Sequence, residues 1–264
     1  MKGKAIYQPT GRALEYAKWA CNFYTGCSNN CDYCYCKRGV MAHTWSTTPK
    51  LKACFKDEYD AIKVFEKELI ANLKELEEHG LFFSFTTDPM LPETSRLTME
   101  AINICFRKNV PVVILTKNAH FFYNNHFTDC LPPMVSHHRK YFAIGFTLTG
   151  HDDLETGASP TAFRIEEMKR LHDIGFKTWA SIEPIIDLKS SAEMIKQTMG
   201  FCDLYKIGLL SNKKYYWKEL REFLIYCIPI KSRFYFKDSF LQQAVISRND
   251  LSKNCVTRDY NLFK

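Results

Sequence analysis

Leu81-Phe82-Phe83-Ser84-Phe85-Thr86-Thr87-Asp88-Pro89 begins as an apolar run of strand length and ends where polar residues and proline take over. A second such run, Val110-Pro111-Val112-Val113-Ile114-Leu115, ends at Thr116-Lys117; it is β-branched without alternation, which predicts burial on both faces. Between them, Arg96 to Lys108 has helical period. Strand, helix and strand in this order form the repeating unit of a parallel sheet.

The same alternation extends in both directions. Upstream, a first strand is predicted within Tyr16 to Phe23, then a cysteine-rich loop, then a charged amphipathic helix from Tyr59 to His79 that Gly80 stops. Downstream, Tyr141 to Leu148 is the fourth strand, and Ser159-Pro160 reads as an N-cap with proline at the first helical position of a helix closing at Gly175. Thr178 to Ile182 is the fifth strand, Ser190-Ser191-Ala192-Glu193 is a capping box, Asp203 to Ile207 is a sixth strand, and Lys213 to Tyr226 is the last clear helix. Eight βα units usually need about 250 residues. With both ends of this chain outside the pattern, six units and an open α/β barrel fit better. Residues 1–228 are expected to form the barrel domain, with 229–264 as a basic aromatic extension packed on it.

Polar residues recur just past the predicted strands: Thr86, Thr87 and Asp88, then Thr116 and Lys117, then Thr149, then Glu183. In a parallel α/β barrel that edge is where ligands bind.

The composition agrees with a folded globular chain: of 264 residues, 46% are hydrophobic and 14% aromatic, which argues against disorder. No stretch approaches the roughly 18 uncharged residues of a membrane span, and Met1 to Thr10 has no signal-peptide core, so a cytoplasmic protein is expected. Eleven cysteines, an odd number, then read as reduced thiols or metal ligands rather than a disulfide framework. The net charge of +7 hints weakly at an anionic partner. Part of it lies in residues 229–264, where seven basic residues face three acidic ones and a solvated basic tail is the plainer reading.

The chemistry is concentrated in Tyr24-Thr25-Gly26-Cys27-Ser28-Asn29-Asn30-Cys31-Asp32-Tyr33-Cys34-Tyr35-Cys36, with thiols at CxxxCxxC spacing inside the loop 26–36. Soft sulfur ligands select iron-sulfur clusters or zinc over hard cations. A closed zinc site prefers four ligands in two separated pairs, and no second CxxC follows Cys36, so zinc is the second choice. Cys27, Cys31 and Cys34 suit three irons of a 4Fe-4S cluster, with the fourth iron open for chemistry.

On this loop, with Tyr33 before its last cysteine, the sequence resembles the radical S-adenosylmethionine enzymes over residues 14 to 210. Tyr24-x-Gly26-Cys27, Cys34-Tyr35, Phe85 to Pro89, Leu115-Thr116-Lys117 and Ser181-Ile182-Glu183-Pro184 look like the spore photoproduct lyase-related branch, often labelled DNA repair photolyase-like. The resemblance implies a partial (β/α)6 barrel of the radical SAM type with short N- and C-terminal extensions. It implies a 4Fe-4S cluster on Cys27, Cys31 and Cys34, S-adenosyl-L-methionine chelating the open iron, and a reductant such as flavodoxin or ferredoxin. Reductive cleavage of the cofactor would give a 5′-deoxyadenosyl radical that abstracts hydrogen from a substrate, nucleic acid among the candidates. Tyr33 would border the adenine. Ser84, Thr86, Thr87 and Asp88 stand where many relatives carry a Gly-Gly-Glu run; Lys117 would meet the methionine carboxylate. Thr147 and Thr149 are candidates for the ribose hydroxyls, though one strand face admits only one of them inward, and Ser181 and Glu183 would approach from the fifth strand. Repair in the named relative uses a cysteine hydrogen donor near this Thr-Asp-Pro segment, and residues 83–87 contain none.

Other residues have plainer readings. Cys21 and Cys36 are expected to be structural, and Cys54, Cys105, Cys130, Cys202, Cys227 and Cys255 show no ligand spacing. His137-His138-Arg139, with His120, His126 and His151, reads as a solvated loop, and Asp152, Asp153 and Glu155 as an exposed turn. Arg164 faces either the site or solvent. Phe234, Tyr235 and Phe236 among Lys231, Arg233 and Lys237 suit either base stacking or an aromatic edge of the barrel. Tyr215, Tyr216 and Trp217 read as packing residues. Modification of a peptide or small molecule, and a non-enzymatic zinc- or cluster-stabilised nucleic-acid-binding protein, are the rival functions.

Overall fold

The computed structural model describes residues 4–123 and 139–264. Ten strands are β1 (Ile6–Tyr7), β2 (Ala20–Cys21), β3 (Tyr24–Thr25), β4 (Lys50–Leu51), β5 (Leu81–Phe83), β6 (Val112–Thr116), β7 (Phe142–Thr147), β8 (Lys177–Ile185), β9 (Leu204–Leu209) and β10 (Arg233–Phe236). Eight of them form one sheet in the order β1-β2-β5-β6-β7-β8-β9-β10, parallel throughout except for the antiparallel β1–β2 pair. β3 and β4 pair separately, beside the cysteine loop. The sheet curls into a partial barrel of the expected type that does not close.

Helices cross over between the strands: α1 (Glu58–Ala71), α2 (Leu73–His79), α3 (Ser95–Arg107), α4 (His120–Tyr123), α5 (Thr161–Asp173), α6 (Leu188–Thr198), α7 (Trp217–Cys227) and α8 (Asp238–Ala244). The sheet and these helices sandwich the main core. Leu81, Phe83, Val112, Ile114, Phe142 and Ile144 turn outward to the helices, while Phe82, Ala143, Trp179, Leu204 and Tyr235 turn into the barrel. This alternation is the strand pleat, and burial on both faces explains the unbroken apolar runs.

Several element boundaries differ from expectation. The helix expected over 59–79 is two, because Asn72 leaves helical geometry and its side-chain Nδ2 donates back to the Glu68 carbonyl (2.7 Å). The capping box at Ser190 is not used: α6 begins earlier, at Leu188, and Asp187 caps it by accepting from the Ser190 amide (2.8 Å). Ser159 does not cap α5; Asp152 accepts from the Thr161 amide (2.9 Å), and the Ser159 hydroxyl instead accepts from Ala119 N (3.0 Å). The last long helix begins at Trp217 rather than Lys213, since the Tyr215 amide bonds the Gln243 side chain (3.0 Å) instead of a helical carbonyl.

Nor are residues 229–264 a solvated tail. Residues 233–236 form β10, a seventh parallel strand beside β9, followed by α8. Phe234, Tyr235 and Phe236 are at most 2% exposed, so these rings close the barrel edge and are not free to stack on bases.

Candidate active site

The inward-facing positions change character along each strand. From N- to C-terminal end they run Phe82 then Ser84, Val113 then Leu115 then Lys117, Ala143 then Gly145 then Thr147, Trp179 then Ser181 then Glu183, and Tyr235 then Lys237. Apolar groups therefore fill the lower barrel, and polar groups gather at the mouth formed by the strands' C-terminal ends. A cavity of about 480 Å³ opens there.

The cysteine loop forms one wall of it. Cys27, Cys31, Cys34 and Cys36 all line the cavity, as does Tyr33. The loop is clamped on both sides: Cys27 N donates to Ser46 O (2.9 Å), and Asp32 N to Leu154 O (3.0 Å). Gly157 makes the second clamp possible, since a Cβ there would lie 2.1 Å from the Ser28 carbonyl. Burial pushes the Cys27 thiol up to about 12 and raises Cys31, whereas the hydrogen bond from Cys36 outweighs burial and brings Cys34 down to about 6. Among the described residues no three Cys, His, Asp or Glu side chains converge as on a single ion. In a 4Fe-4S cluster each thiolate binds its own iron, so such convergence is not what it requires.

Cys27, Cys31, Cys34, Tyr33, Ser84, Thr86, Thr87, Asp88, Lys117, Thr147, Ser181 and Glu183 are all brought to this one cavity. Of the residues singled out for the site, only Thr149 is not: it is fully buried and bonds the Glu155 carboxylate (3.1 Å) and the His151 amide (3.2 Å). Strand alternation thus selects Thr147. Asp88 organises the floor, its carboxylate accepting from Asn29 Nδ2 (2.7 Å), Thr116 Oγ1 (2.6 Å), Lys117 N (2.7 Å) and Met90 N (3.0 Å). Ser84 Oγ and Thr86 Oγ1 donate to the carbonyls of Thr87 (2.7 Å) and Tyr24 (2.5 Å). The Asn29 Oδ1 and Thr87 Oγ1 atoms are buried with no partner among the described residues, a costly state that a ligand in the cavity would relieve.

Glu155 and Arg164 require a correction. Glu155 is buried, not part of an exposed turn, and Arg164 neither solvates its helix nor reaches the cavity: its guanidinium, with no solvent exposure, binds Glu155 and the Thr147 carbonyl (2.6 Å). The same carboxylate accepts from the Tyr33 phenol, whose ionisation burial suppresses. Arg164 therefore fixes Glu155, and Glu155 fixes Tyr33. Lys117 is no surface lysine: its Nζ lies 5.5 Å from the Tyr33 ring centroid in the cavity wall. Burial opposes its charge, but Tyr33, Cys31 and Glu155 around it hold the amine well above its usual value.

Two residues of the opposite wall, Tyr16 and Lys237, and Glu15 beside them were not legible. Tyr16 donates to Glu183 Oε2 (2.6 Å) and bonds Ser181 Oγ (2.7 Å), Lys237 reaches both Glu183 oxygens (2.9 and 3.2 Å), and Glu15 stands 3.7 Å from Lys237. Lys237 follows the Phe234–Phe236 run as Lys117 follows the third strand, and that position was the signal available for it.

The remaining candidates disperse. Cys21, Cys105, Cys202 and Cys227 are buried, Cys54 is exposed and Cys255 is half-buried; Cys130, His126, His137 and His138 lie outside the described residues. His151 pairs with Asp187 (2.6 Å), His120 packs on Phe163, and Arg139 lies over Phe176. Tyr216 and Trp217 are 53% and 40% exposed, so they are not packing residues. No described helix is long and apolar enough to cross a membrane.

No protein-family model matches the sequence, and no curated protein matches it. Among solved structures, the fold is similar to that of spore photoproduct lyase complexed with dinucleoside spore photoproduct, with a TM-score of 0.52 and 16% identity. The match covers 93% of this chain and 66% of that one, so the chain spans just under two thirds of that protein's length. At this distance the likeness establishes the architecture alone: the chain has an open, partial α/β barrel similar to the one in that structure.

Proposed function

We propose that the chain is a radical S-adenosylmethionine enzyme whose cysteine loop holds a 4Fe-4S cluster on Cys27, Cys31 and Cys34. The observation that carries this reading is that three thiols in CxxxCxxC spacing share one cavity, at the barrel's ligand-binding end, with Lys117 and the unpartnered Asn29 and Thr87 oxygens. The donor set fits: soft thiolates for iron, a cation for a carboxylate, and free polar atoms for an amino acid moiety. When bound, the cluster and S-adenosylmethionine supply reductive carbon–sulfur cleavage to a 5′-deoxyadenosyl radical. The chain's own residues orient and exclude. Tyr33, fixed by Glu155, borders the thiols, Lys117 offers its ammonium from the end of β6, and Phe82, Phe85, Leu115 and Leu209 keep the cavity dry.

Within this reading a nucleic-acid substrate is favoured over a peptide by the exposed stretch Lys213-Lys214-Tyr215-Tyr216-Trp217-Lys218. It follows the cavity-lining Leu210 and Ser211 and carries three cations and two exposed rings without an acid.

The test is anaerobic reconstitution with iron and sulfide, dithionite reduction, and chromatography for 5′-deoxyadenosine, comparing wild type with the triple variant Cys27→Ala, Cys31→Ala, Cys34→Ala. Wild type alone is expected to form it. Tight zinc binding with neither S-adenosylmethionine binding nor 5′-deoxyadenosine would move the structural-loop reading ahead. Binding of a single-stranded oligonucleotide that weakens steeply with salt distinguishes the substrate classes.

A further inference from the structure

A second cavity, of about 400 Å³, lies at the other end of the barrel, against the N-terminal ends of β5, β6 and β9. This size is in the range of small-molecule sites. Its walls are the barrel's lower aromatic layer, Tyr16, Phe82 and Trp179, and the segment 258–263, which folds back beneath the barrel and buries Leu262 among those rings. None of the described cysteines lines it.

Four basic side chains, Lys18, His79, Lys206 and Arg258, line this cavity against one carboxylate, Asp259. Lys18 is engaged by Glu75 (3.2 Å). Lys206 is not so answered. Its Nζ donates to the carbonyl of Tyr16 (2.5 Å) and lies 5.1, 5.8 and 5.9 Å from the ring centroids of Tyr16, Trp179 and Tyr235, with no carboxylate of the described residues in salt-bridge reach. Burial, with Lys237 adding repulsion and Glu183 and Glu15 opposing it, brings this amine down to about 7. Arg258, exposed at the cavity's edge, is in no ion pair among the described residues either. The cavity thus combines flat aromatic walls with an exposed guanidinium and a buried amine, neither in an ion pair among the described residues.

We propose that this lower cavity is a ligand site separate from the thiol cavity, taking a small aromatic anion whose charged group meets Lys206 and Arg258 and whose ring packs on Phe82 and Trp179. The site does not depend on the radical reading of the upper cavity. Charge-assisted bonds supply orientation, and the rings supply apolar burial.

Isothermal titration of the full-length protein with phenyl phosphate, benzoate, cyclohexanecarboxylate and inorganic phosphate tests it. Phenyl phosphate or benzoate is expected to bind at least about ten-fold more tightly than its non-aromatic counterpart. Arg258→Glu, which reverses an exposed charge without touching the core, and Lys206→Met, checked for folding by circular dichroism, are each expected to weaken binding about ten-fold or more. Lys117→Ala, in the upper cavity, is expected to leave it unchanged. No binding of either aromatic anion at about 10 mM overturns the proposal. So does binding that survives Arg258→Glu, or binding that Lys117→Ala removes.

Discussion

The two mouths of the barrel are built from the same strands and differ in almost everything else. At the upper mouth, inward positions carry Ser84, Lys117, Thr147, Ser181, Glu183 and Lys237, and a clamped loop adds four thiols. At the lower mouth the same pleat presents Phe82, Val113, Trp179 and Leu204, with Lys206 the one strand cation, and the chain's own residues 258–263 lie across the opening. The contrast teaches how one scaffold divides labour: apolar layers below supply stability, so incompletely paired groups can be held above.

The largest expected effect breaks the upper mouth alone. Removing the three thiols Cys27, Cys31 and Cys34 is expected to abolish iron loading after anaerobic reconstitution, measured by iron and sulfide content, while leaving the thermal midpoint near that of wild type. Cys54→Ser, at an exposed thiol, is the matched control and is expected to load fully.

Next in size is the pair that supports the upper mouth from behind. Arg164 and Glu155 are both fully buried as side chains, so Arg164→Met leaves a carboxylate without its counter-charge and is expected to cost about 3–5 kcal/mol in urea unfolding. Glu155→Gln with Arg164→Met removes both charges and is expected to recover part of that loss, which a merely volumetric effect would not do.

The lower barrel is probed by Gly145→Ala. The new Cβ would lie 2.1 Å from the Trp179 ring, which stacks over this glycine and donates to the Ile114 carbonyl (3.1 Å). Overpacking here is expected to destabilise by about 1–3 kcal/mol, read by denaturant midpoint. A loss under a few tenths of a kcal/mol would show that the lower layer yields easily and would weaken the contrast between the two ends.

The last probe concerns Lys206 and reads a slope with pH rather than a single loss. Its folded amine titrates near 7 against 10.5 when unfolded, so between those values the unfolded chain binds the extra proton. Its contribution to stability is therefore full above 10.5 and lost as pH falls through about 7. Lys206→Met is expected to flatten that rise in unfolding free energy between neutral and alkaline pH, and a slope equal to wild type would place the titration elsewhere.

The sequence shows the site unevenly. The CxxxCxxC loop is legible because local spacing fixes which thiols share a turn, and Lys117 and Glu183 are legible because each follows an apolar run. Glu155 and Arg164 are misread because their partnership spans a loop and a helix: a run of acids beside a turn looks solvated until a buried guanidinium is brought to it. Tyr16, whose partners Ser181 and Glu183 lie far along the chain, gives no local sign at all. The Phe234–Phe236 run carries two readings, base stacking and an aromatic barrel edge at least as favoured, and its pairing with β9 selects burial.

By itself the sequence determined the parallel strand–helix order, the open barrel and the thiol loop, since these follow from periodicity and spacing over a few residues. Tertiary structure alone decided that residues 233–236 add a strand, that Asp187 and Asp152 rather than nearer serines cap their helices, that Thr147 rather than Thr149 meets the cavity, and that a second cavity lies beneath the rings. Each of these depends on which distant group wins a competition for one hydrogen bond, charge or volume, and that competition is settled only once the layers pack.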